Sequence, residues 1–461
     1  KDMVNNLDRK KILIANRGEI ALRAINAARS LNFSTVSVYS TADKLSSHVM
    51  AADENICIGP PAAKDSYLSG KALIHIAKKT KCDAIYPGYG FLSENASFAS
   101  NCNEAGLKFI GPSGQIIQDM GQKDRAREIV SNFGVPVVPG SNKAFYNCDE
   151  ALQESDRIGY PLLLKARSGG GGKGMRIVSS KAEFTAAFAH AFREAESAFS
   201  DGALYIERFF PKVRHIEIQI LGDGRGGALA FDERDCSIQR RHQKLIEESP
   251  SPVIDKITRE KLKSMASKIV QGMEYEGAGT IEFIFDVETK EFFFIEMNTR
   301  IQVEHPITEV RNNIDLVETQ IKIALCGEFP DSEDIQGSLG HAIEFRINAE
   351  DSENNFMPSP GVLQTWDLPY GEGIRVDTAE YAGSNISPYY DSMIGKLIIH
   401  DNSREKAVIK AQASLDRFHL RGIKTTIPFH KSIIKHQAFL NNDIHTRWVE
   451  SEFINSKREI N

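Results

Sequence analysis

The feature that most constrains the fold is an alternation of short apolar runs with amphipathic helical stretches over the first 112 residues. Residues 11–16 (KILIAN) form an apolar run that stops at Arg17-Gly18. A helical pattern follows, with Ile20, Ala24, Ala27, Ala28 and Leu31 on one face. A second strand is predicted over residues 35–39. Further strands are read at 82–86, closed by Pro87-Gly88-Tyr89-Gly90, and at 108–110, closed by Gly111-Pro112. Strands alternating with helices predict an open, mostly parallel α/β sheet. Such sheets bind ligands at the carboxyl ends of their strands, where Asn16-Arg17-Gly18 and Gly88-Tyr89-Gly90 fall. Plain tight strand-to-helix turns fit the same residues.

Residues 134–140 (GVPVVPG) read as a Pro/Gly-marked boundary. Beyond it, strands at 161–166 and 175–178 flank Ser168-Gly169-Gly170-Gly171-Gly172-Lys173-Gly174. A helix over 181–199 and a strand over 204–207 complete a small α+β module. Four consecutive glycines weaken any regular element, and they suit close approach of backbone N–H groups to an anion. The loop is not a Walker A motif, because Arg167 and Gly174 stand where that pattern needs Gly and Ser/Thr. A hairpin lid over a nucleotide fits it, and a linker is the alternative.

Residues 280–306 (TIEFIFDVETKEFFFIEMNTRIQVEHP) carry the densest chemistry. Strands at 280–286 and 292–298 predict a hairpin whose register sets Glu282 opposite Glu296. Two facing carboxylates repel, one has its pKa raised, and a divalent cation resolves the conflict. Glu282, Glu296 and Asn298 therefore suit Mg²⁺ or Mn²⁺. Glu296, Asn298, Arg300, Gln302 and Glu304 share one strand parity, so the row is expected to continue along one face. A solvated strand face looks similar, but this one starts with Phe292 and Phe294. Its guanidinium, amides and carboxylates suit a small oxyanion and its base. The stretch 234–244 (RDCSIQRRHQK) adds Gln239, His242 and Lys244 as candidates, a solvated charge run being the bland alternative. Upstream, the strand at 215–221 puts Ile216, Ile218 and Ile220 on one face and Glu217 and Gln219 on the other. Residues 308–327 read as one helix with the stripe Val310, Ile314, Val317, Ile321, Leu325 and a C-cap at Gly327.

Composition narrows the class. At 461 residues the chain predicts about three domains. With 41% hydrophobic and 26% charged residues it reads as a soluble globular enzyme. No apolar run approaches bilayer length, so no membrane partner is expected. A formal charge of −6 argues against a nucleic-acid partner. Six cysteines at 57, 82, 102, 148, 236 and 326 form no Cys-x-x-Cys pair. Together with a polar segment 1–10 lacking an apolar core, they predict a cytoplasmic enzyme.

Seven ordered motifs resemble the biotin carboxylase family: NRGEIA (16–21), YPGYGFLSEN (86–95), GGGGKGM (169–175), RDCSIQRRHQK (234–244), EMNTRIQVEHP (296–306), RINAED (346–351) and YYDSMIGKL (389–397). The resemblance spans residues 11 to about 429. It implies a Rossmann-like pre-ATP-grasp domain (1–112), an ATP-grasp domain (113–340, lid about 137–209) and a C-terminal α+β domain (341–461). The implied reaction carboxylates biotin on a carrier protein with ATP and bicarbonate, through carboxyphosphate. By motif, Lys123, Lys165, Gly170, Gly171, Lys173, Gly174 and Met175 serve the nucleotide phosphates. Glu207, Arg208 and Phe210 line the adenine site, and His215, Gln239 and His242 lie near the ribose and phosphates. Glu282, Glu296 and Asn298 bind metal; Lys244, Arg300, Gln302 and Val303 hold bicarbonate; Glu304 is the base. Arg346 sits by the biotin ureido group, with Tyr89 and Gly90 close. Implied partners are a biotin carboxyl carrier protein, a carboxyltransferase component and a second copy in a homodimer. An acyl-CoA carboxylase of fatty acid biosynthesis is the expected setting. Arg167-Ser168 and Arg208 depart from the family pattern, and no biotin-attachment lysine between methionines occurs. A different ATP-grasp ligase, joining a carboxylate to an amine, and a non-catalytic nucleotide sensor are the rival readings.

Overall fold

The computed structural model describes residues 9–168, 174–333, 335, 337 and 339–458. It divides into two compact units, one of Lys1–Gly134, Arg214–Phe283 and Glu296–Asn461, the other of Val135–Val213 and Ile284–Ile295.

The first unit opens with a parallel sheet of β1 (Lys11–Ile14), β2 (Ser34–Ser40), β3 (Glu54–Gly59), β4 (Ala84–Tyr86) and β5 (Lys108–Phe109), in the order β3-β2-β1-β4-β5. This is the predicted architecture, with β3 added. The helix Gly18–Ser30 buries Ile20, Ala21, Ala24, Ile25, Ala27 and Ala28, and its small residues allow close packing on the sheet. Asn16 joins the two expected ligand-side turns, since its amide Nδ2 donates to Pro87 O at 2.8 Å and to Tyr89 O at 2.7 Å.

The second unit is built on β6 (Leu162–Ala166), β7 (Met175–Val178) and β8 (Leu204–Arg208), antiparallel in the order β7-β6-β8. The helix Lys181–Phe199 seals one face with Phe184, Phe188, Ala191 and Ala195. These elements match the predicted module almost residue for residue.

A nine-stranded sheet carries the remainder. Its members are β9 (Val213–Asp223), β10 (Ala228–Ala230), β11 (Arg234–Arg240), β12 (Gln243–Ser249), β13 (Glu276–Asp286), β14 (Phe292–Asn298), β15 (His341–Asn348) and the strands Ile374–Asp377 and Met393–Asp401. Register sets Glu247 opposite Glu344 and Arg346 opposite Lys396. On one face Ile246, Phe345 and Leu397 enter the C-terminal core. On the other, Ala342 and Ile398 pack against Ile307 of the helix His305–Asn312. Glu247, Glu344, Arg346 and Lys396 share the parity of that second face.

Two expectations are corrected. The single helix over 308–327 is two, His305–Asn312 and Leu316–Cys326. Asn313 adopts φ 49° and ends the first, and the Asp315 carboxylate caps the second by accepting from Glu318 N. The stripe does not form one buried face: Val310 packs with Ile307, Ala342 and Ile398, whereas Val317, Ile321 and Leu325 pack with Ile12, Ile14 and Ala24 of the opening sheet and its helix. Gly327 caps the second helix at φ 66° as expected. The strand row predicted to run on to Glu304 stops at Asn298. Residues 299–304 are irregular, so strand parity does not place Arg300, Gln302 or Glu304.

Candidate active site

Three strands of the large sheet, β9, β12 and β13, each bring a charge to one buried point. Lys244, near the start of β12, donates through Nζ to Glu304 at 2.7 Å, Glu217 at 2.8 Å and Glu282 at 3.0 Å. Burial disfavours the ammonium, but the three carboxylates outweigh it and hold the Lys244 pKa well above the usual lysine value. The other oxygen of Glu304 accepts from Arg346 Nη2 at 2.9 Å, and Arg346 Nε donates to Glu247 at 2.6 Å. Glu304 thus sits almost fully buried between two cations.

Beneath it lies Arg234, 0% exposed. Its guanidinium donates to Glu217 at 2.6 Å, Gln219 at 2.7 Å, Gln302 at 2.8 Å, and Thr280 and Thr308 at 3.1 Å each. A buried guanidinium demands this many acceptors. Gln302 passes its own amide on to Glu282 Oε1 at 3.0 Å. Sequence reasoning quoted Arg234 inside a motif without giving it a role, and it left Glu217 as one polar position of an alternating strand. A fully buried, many-partnered arginine has no local sequence signal.

Glu282 of β13 and Glu296 of the neighbouring β14 meet side chain to side chain. Burial and the Glu282 charge push the Glu296 carboxyl up to about 7. Lys244 and His215 hold the buried Glu282 well below the carboxylate range. His215 Nε2 stands 3.4 Å from Glu282 and 3.6 Å from Glu217, and despite its burial these charges raise the imidazole to about 9. A carboxyl pair strained in this way fits a divalent cation with hard oxygen ligands. Asn298 turns its amide Nδ2 toward Glu282 Oε1, at 2.8 Å, and its Oδ1 toward Arg300 at 3.3 Å.

The other candidates lie further out. Arg300 Nε is paired with Glu94 at 3.0 Å rather than with Glu304. Gln239 is buried opposite Lys244. His242 is exposed at the tip of the β11–β12 hairpin, with φ 62°. Lys123 is exposed at the start of the helix Lys123–Asn132, and its charge lowers the Glu296 pKa. The Tyr89 phenol is bound to Glu19, and Gly90 is exposed at φ 70°. In the second unit Lys165 faces Met175 across β6–β7, and its Nζ reaches Glu207 at 3.2 Å. The Arg208 guanidinium lies 5.0 Å from the Phe210 ring centre. Gly174, at φ 76°, leaves no room for a side chain beside Ala166. Gly170, Gly171 and Lys173 lie outside the described residues. The Cys236 thiol is fully buried and raised well above its usual pKa by burial, which makes it inert. No helix among the described residues is long and apolar enough to cross a membrane.

A buried carboxylate held between two cations, beside a carboxyl pair whose oxygens fit a divalent ion, makes a site suited to small anions and phosphate oxygens. The comparisons give the family. Residues 8–117 match "Biotin carboxylase, N-terminal domain", residues 122–331 match "Carbamoyl-phosphate synthase L chain, ATP binding domain", and residues 344–451 match "Biotin carboxylase C-terminal domain". The chain is 48% identical to biotin carboxylase 1 of Bacillus subtilis, over 96% of its own length and 98% of the relative. It matches the solved biotin carboxylase–βγ-ATP complex from Campylobacter jejuni with a TM-score of 0.88 and 44% identity, covering 97% of this chain and 99% of that one. It also matches the biotin carboxylase domain of Hydrogenobacter thermophilus 2-oxoglutarate carboxylase, a dimer with Mg-ADP and bicarbonate. There the TM-score is 0.85 and the identity 44%, over 96% of this chain and 97% of that one. The chain belongs to the biotin carboxylase family.

Proposed function

We infer that the chain uses ATP and bicarbonate to carboxylate biotin, releasing ADP and phosphate, as the first half-reaction of a biotin-dependent carboxylase. The observation that carries the reading is the seat of Glu304 between Lys244 and Arg346. Lys244, Arg300, Gln302 and Val303 hold bicarbonate, and Glu304 takes its proton. The freed oxygen attacks the γ-phosphorus in line, ADP leaves and carboxyphosphate forms. Lys123, Lys165 and the glycine loop with Lys173 and Met175 hold the phosphates. Glu207, Arg208 and Phe210 take the adenine; His215, Gln239 and His242 serve the ribose and phosphates. Mg²⁺ or Mn²⁺ on Glu282, Glu296 and Asn298 supplies positive charge for the phosphate oxygens. Carboxyphosphate then yields CO₂ and phosphate; the phosphate takes the ureido proton, and the ureido nitrogen attacks CO₂. Arg346 stabilises the ureido oxygen as its charge develops, with Tyr89 and Gly90 beside it.

The biotin belongs to a carrier protein or domain, and a carboxyltransferase, such as that of acetyl-CoA carboxylase, takes the carboxyl group onward. The dimer of the Hydrogenobacter domain supports a homodimer here. Six free cysteines support a reducing, cytoplasmic setting. We assign residues 1–112, 113–340 and 341–461 to three domains, with the lid at about 137–209. The test measures ATP hydrolysis with and without bicarbonate and free biotin. Joint dependence on both is expected. Hydrolysis that requires instead a carboxylate and an amine would favour the rival ligase.

A further inference from the structure

We propose that Lys396 is a positioning residue for the proton-accepting segment, acting through the carbonyl of Val303 and held in turn by Glu19. The inference rests on the reading that Val303 and Glu304 hold and deprotonate bicarbonate.

Residues 299–304 lie between the end of β14 and the helix His305–Asn312, with no strand or helix ladder of their own. Side chains must therefore satisfy their backbone groups and fix their course. Glu94 Oε1 accepts from Thr299 N at 3.1 Å. His305 Nδ1 lies 2.6 Å from Gln302 O. Lys396 Nζ donates to Val303 O at 2.8 Å. That carbonyl belongs to the planar peptide that ends at the Glu304 Cα, so holding it holds the stem of the base.

Lys396 is 0% exposed, on the strand Met393–Asp401 and directly opposite Arg346. Its ion-pair partner is Glu19 Oε1, at 3.1 Å, in the first turn of the helix Gly18–Ser30. Glu19 also accepts from the Tyr89 phenol, and its second oxygen has no hydrogen-bond partner among the described residues. A methionine would fill the space of Lys396 without desolvating a charge, so packing alone does not account for an ammonium here. Lys396 and Glu19 are the buried charged members of YYDSMIGKL and NRGEIA, two motifs that supply no group to the reaction as described above. The chain Tyr89–Glu19–Lys396–Val303 ties the residue assigned to the biotin side to the peptide that carries the base.

The test compares full-length Lys396→Met, Lys396→Arg and Glu19→Gln with the wild type and Glu304→Gln. Bicarbonate-dependent ATP hydrolysis is measured without biotin, alongside thermal unfolding. In Lys396→Met, kcat/KM for bicarbonate is expected to fall about 10–100-fold, the scale of a small misplacement of a catalytic group, while KM for ATP stays within about twofold. Lys396→Arg, which keeps the charge, should recover most of that loss. Glu19→Gln should show a smaller loss confined to the same constant. Wild-type bicarbonate kinetics in Lys396→Met, equal values for Met and Arg, or a loss spread evenly over ATP and bicarbonate would each overturn the proposal. If Lys396→Met does not fold, Glu19→Gln decides: unchanged bicarbonate kinetics there overturn it. A wild type indifferent to bicarbonate, or a fully active Glu304→Gln, would instead remove the functional reading beneath it.

Discussion

Each carboxylate oxygen of Glu304 accepts from a different cation, one from Lys244 and the other from Arg346, an arrangement that fixes the direction of the carboxylate. Glu304→Gln should cut bicarbonate-dependent ATP cleavage about 10²–10⁴-fold. ATP affinity, measured by titration, should stay near that of the wild type, and unchanged turnover would remove the base assignment. The Arg346 guanidinium touches Glu304 as well as Glu247, so on the proposed reading it stands closer to the first chemical step than the resemblance implied. Arg346→Ser is therefore expected to lower biotin carboxylation about 10²–10³-fold. A smaller loss should appear in biotin-free hydrolysis, which a side chain acting on biotin alone would leave at the wild-type rate. At the carboxyl pair, Glu296→Gln removes one of two facing hard ligands and should raise the Mg²⁺ concentration needed for half-maximal activity. An identical metal saturation curve would show that Glu296 is not a ligand.

At the level of elements, Arg234 binds β11 to β9, to β13, to Gln302 and to the helix His305–Asn312. Arg234→Met should destabilise the protein by about 3–5 kcal/mol, since it leaves several buried acceptors unpaired and takes one cation from the buried Glu217. A urea midpoint like that of the wild type would contradict this. The carboxylate hairpin and the module around the glycine loop were legible from alternation and turn residues, because strands with one buried face write period two into the sequence. The helix break at Asn313 was not, because in the sequence the apolar residues of both halves follow one helical period, and only the left-handed asparagine and the Asp315 cap divide them. The run from Arg300 to Glu304 kept its parity in sequence and lost it in space. Its backbone is held by His305 and Lys396, and that of Thr299 just before it by Glu94, none of them on its own hairpin.

Across the whole molecule, burial sets the response to acid. His48 lies against Val38 O at 3.0 Å, and His430 against Arg346 O at 2.6 Å. Burial lowers both pKa values to about 4, from 6.5. Below pH 6.5 the unfolded chain takes up protons that the folded protein refuses, so stability falls with pH until about pH 4. Each histidine contributes a loss of roughly a few kcal/mol over that window. Urea midpoints should drop between pH 7.5 and pH 5, and His48→Gln together with His430→Gln should flatten the slope. A wild-type profile already flat over that range would contradict the buried neutral imidazoles.

The sequence by itself determined the α/β opening sheet, the glycine-loop module, the facing glutamates and the family motifs. Each is written in a few consecutive residues, where periodicity, turn chemistry or spacing leaves a local record. Only the tertiary structure decided that Lys244 and Arg346 share Glu304, that Arg234 underlies the cluster, and that Lys396 reaches the Val303 carbonyl from about ninety residues away in the chain. Those contacts join strands and loops distant in sequence. Charges so buried are stable only where partners from several elements converge, and no stretch of chain records that convergence.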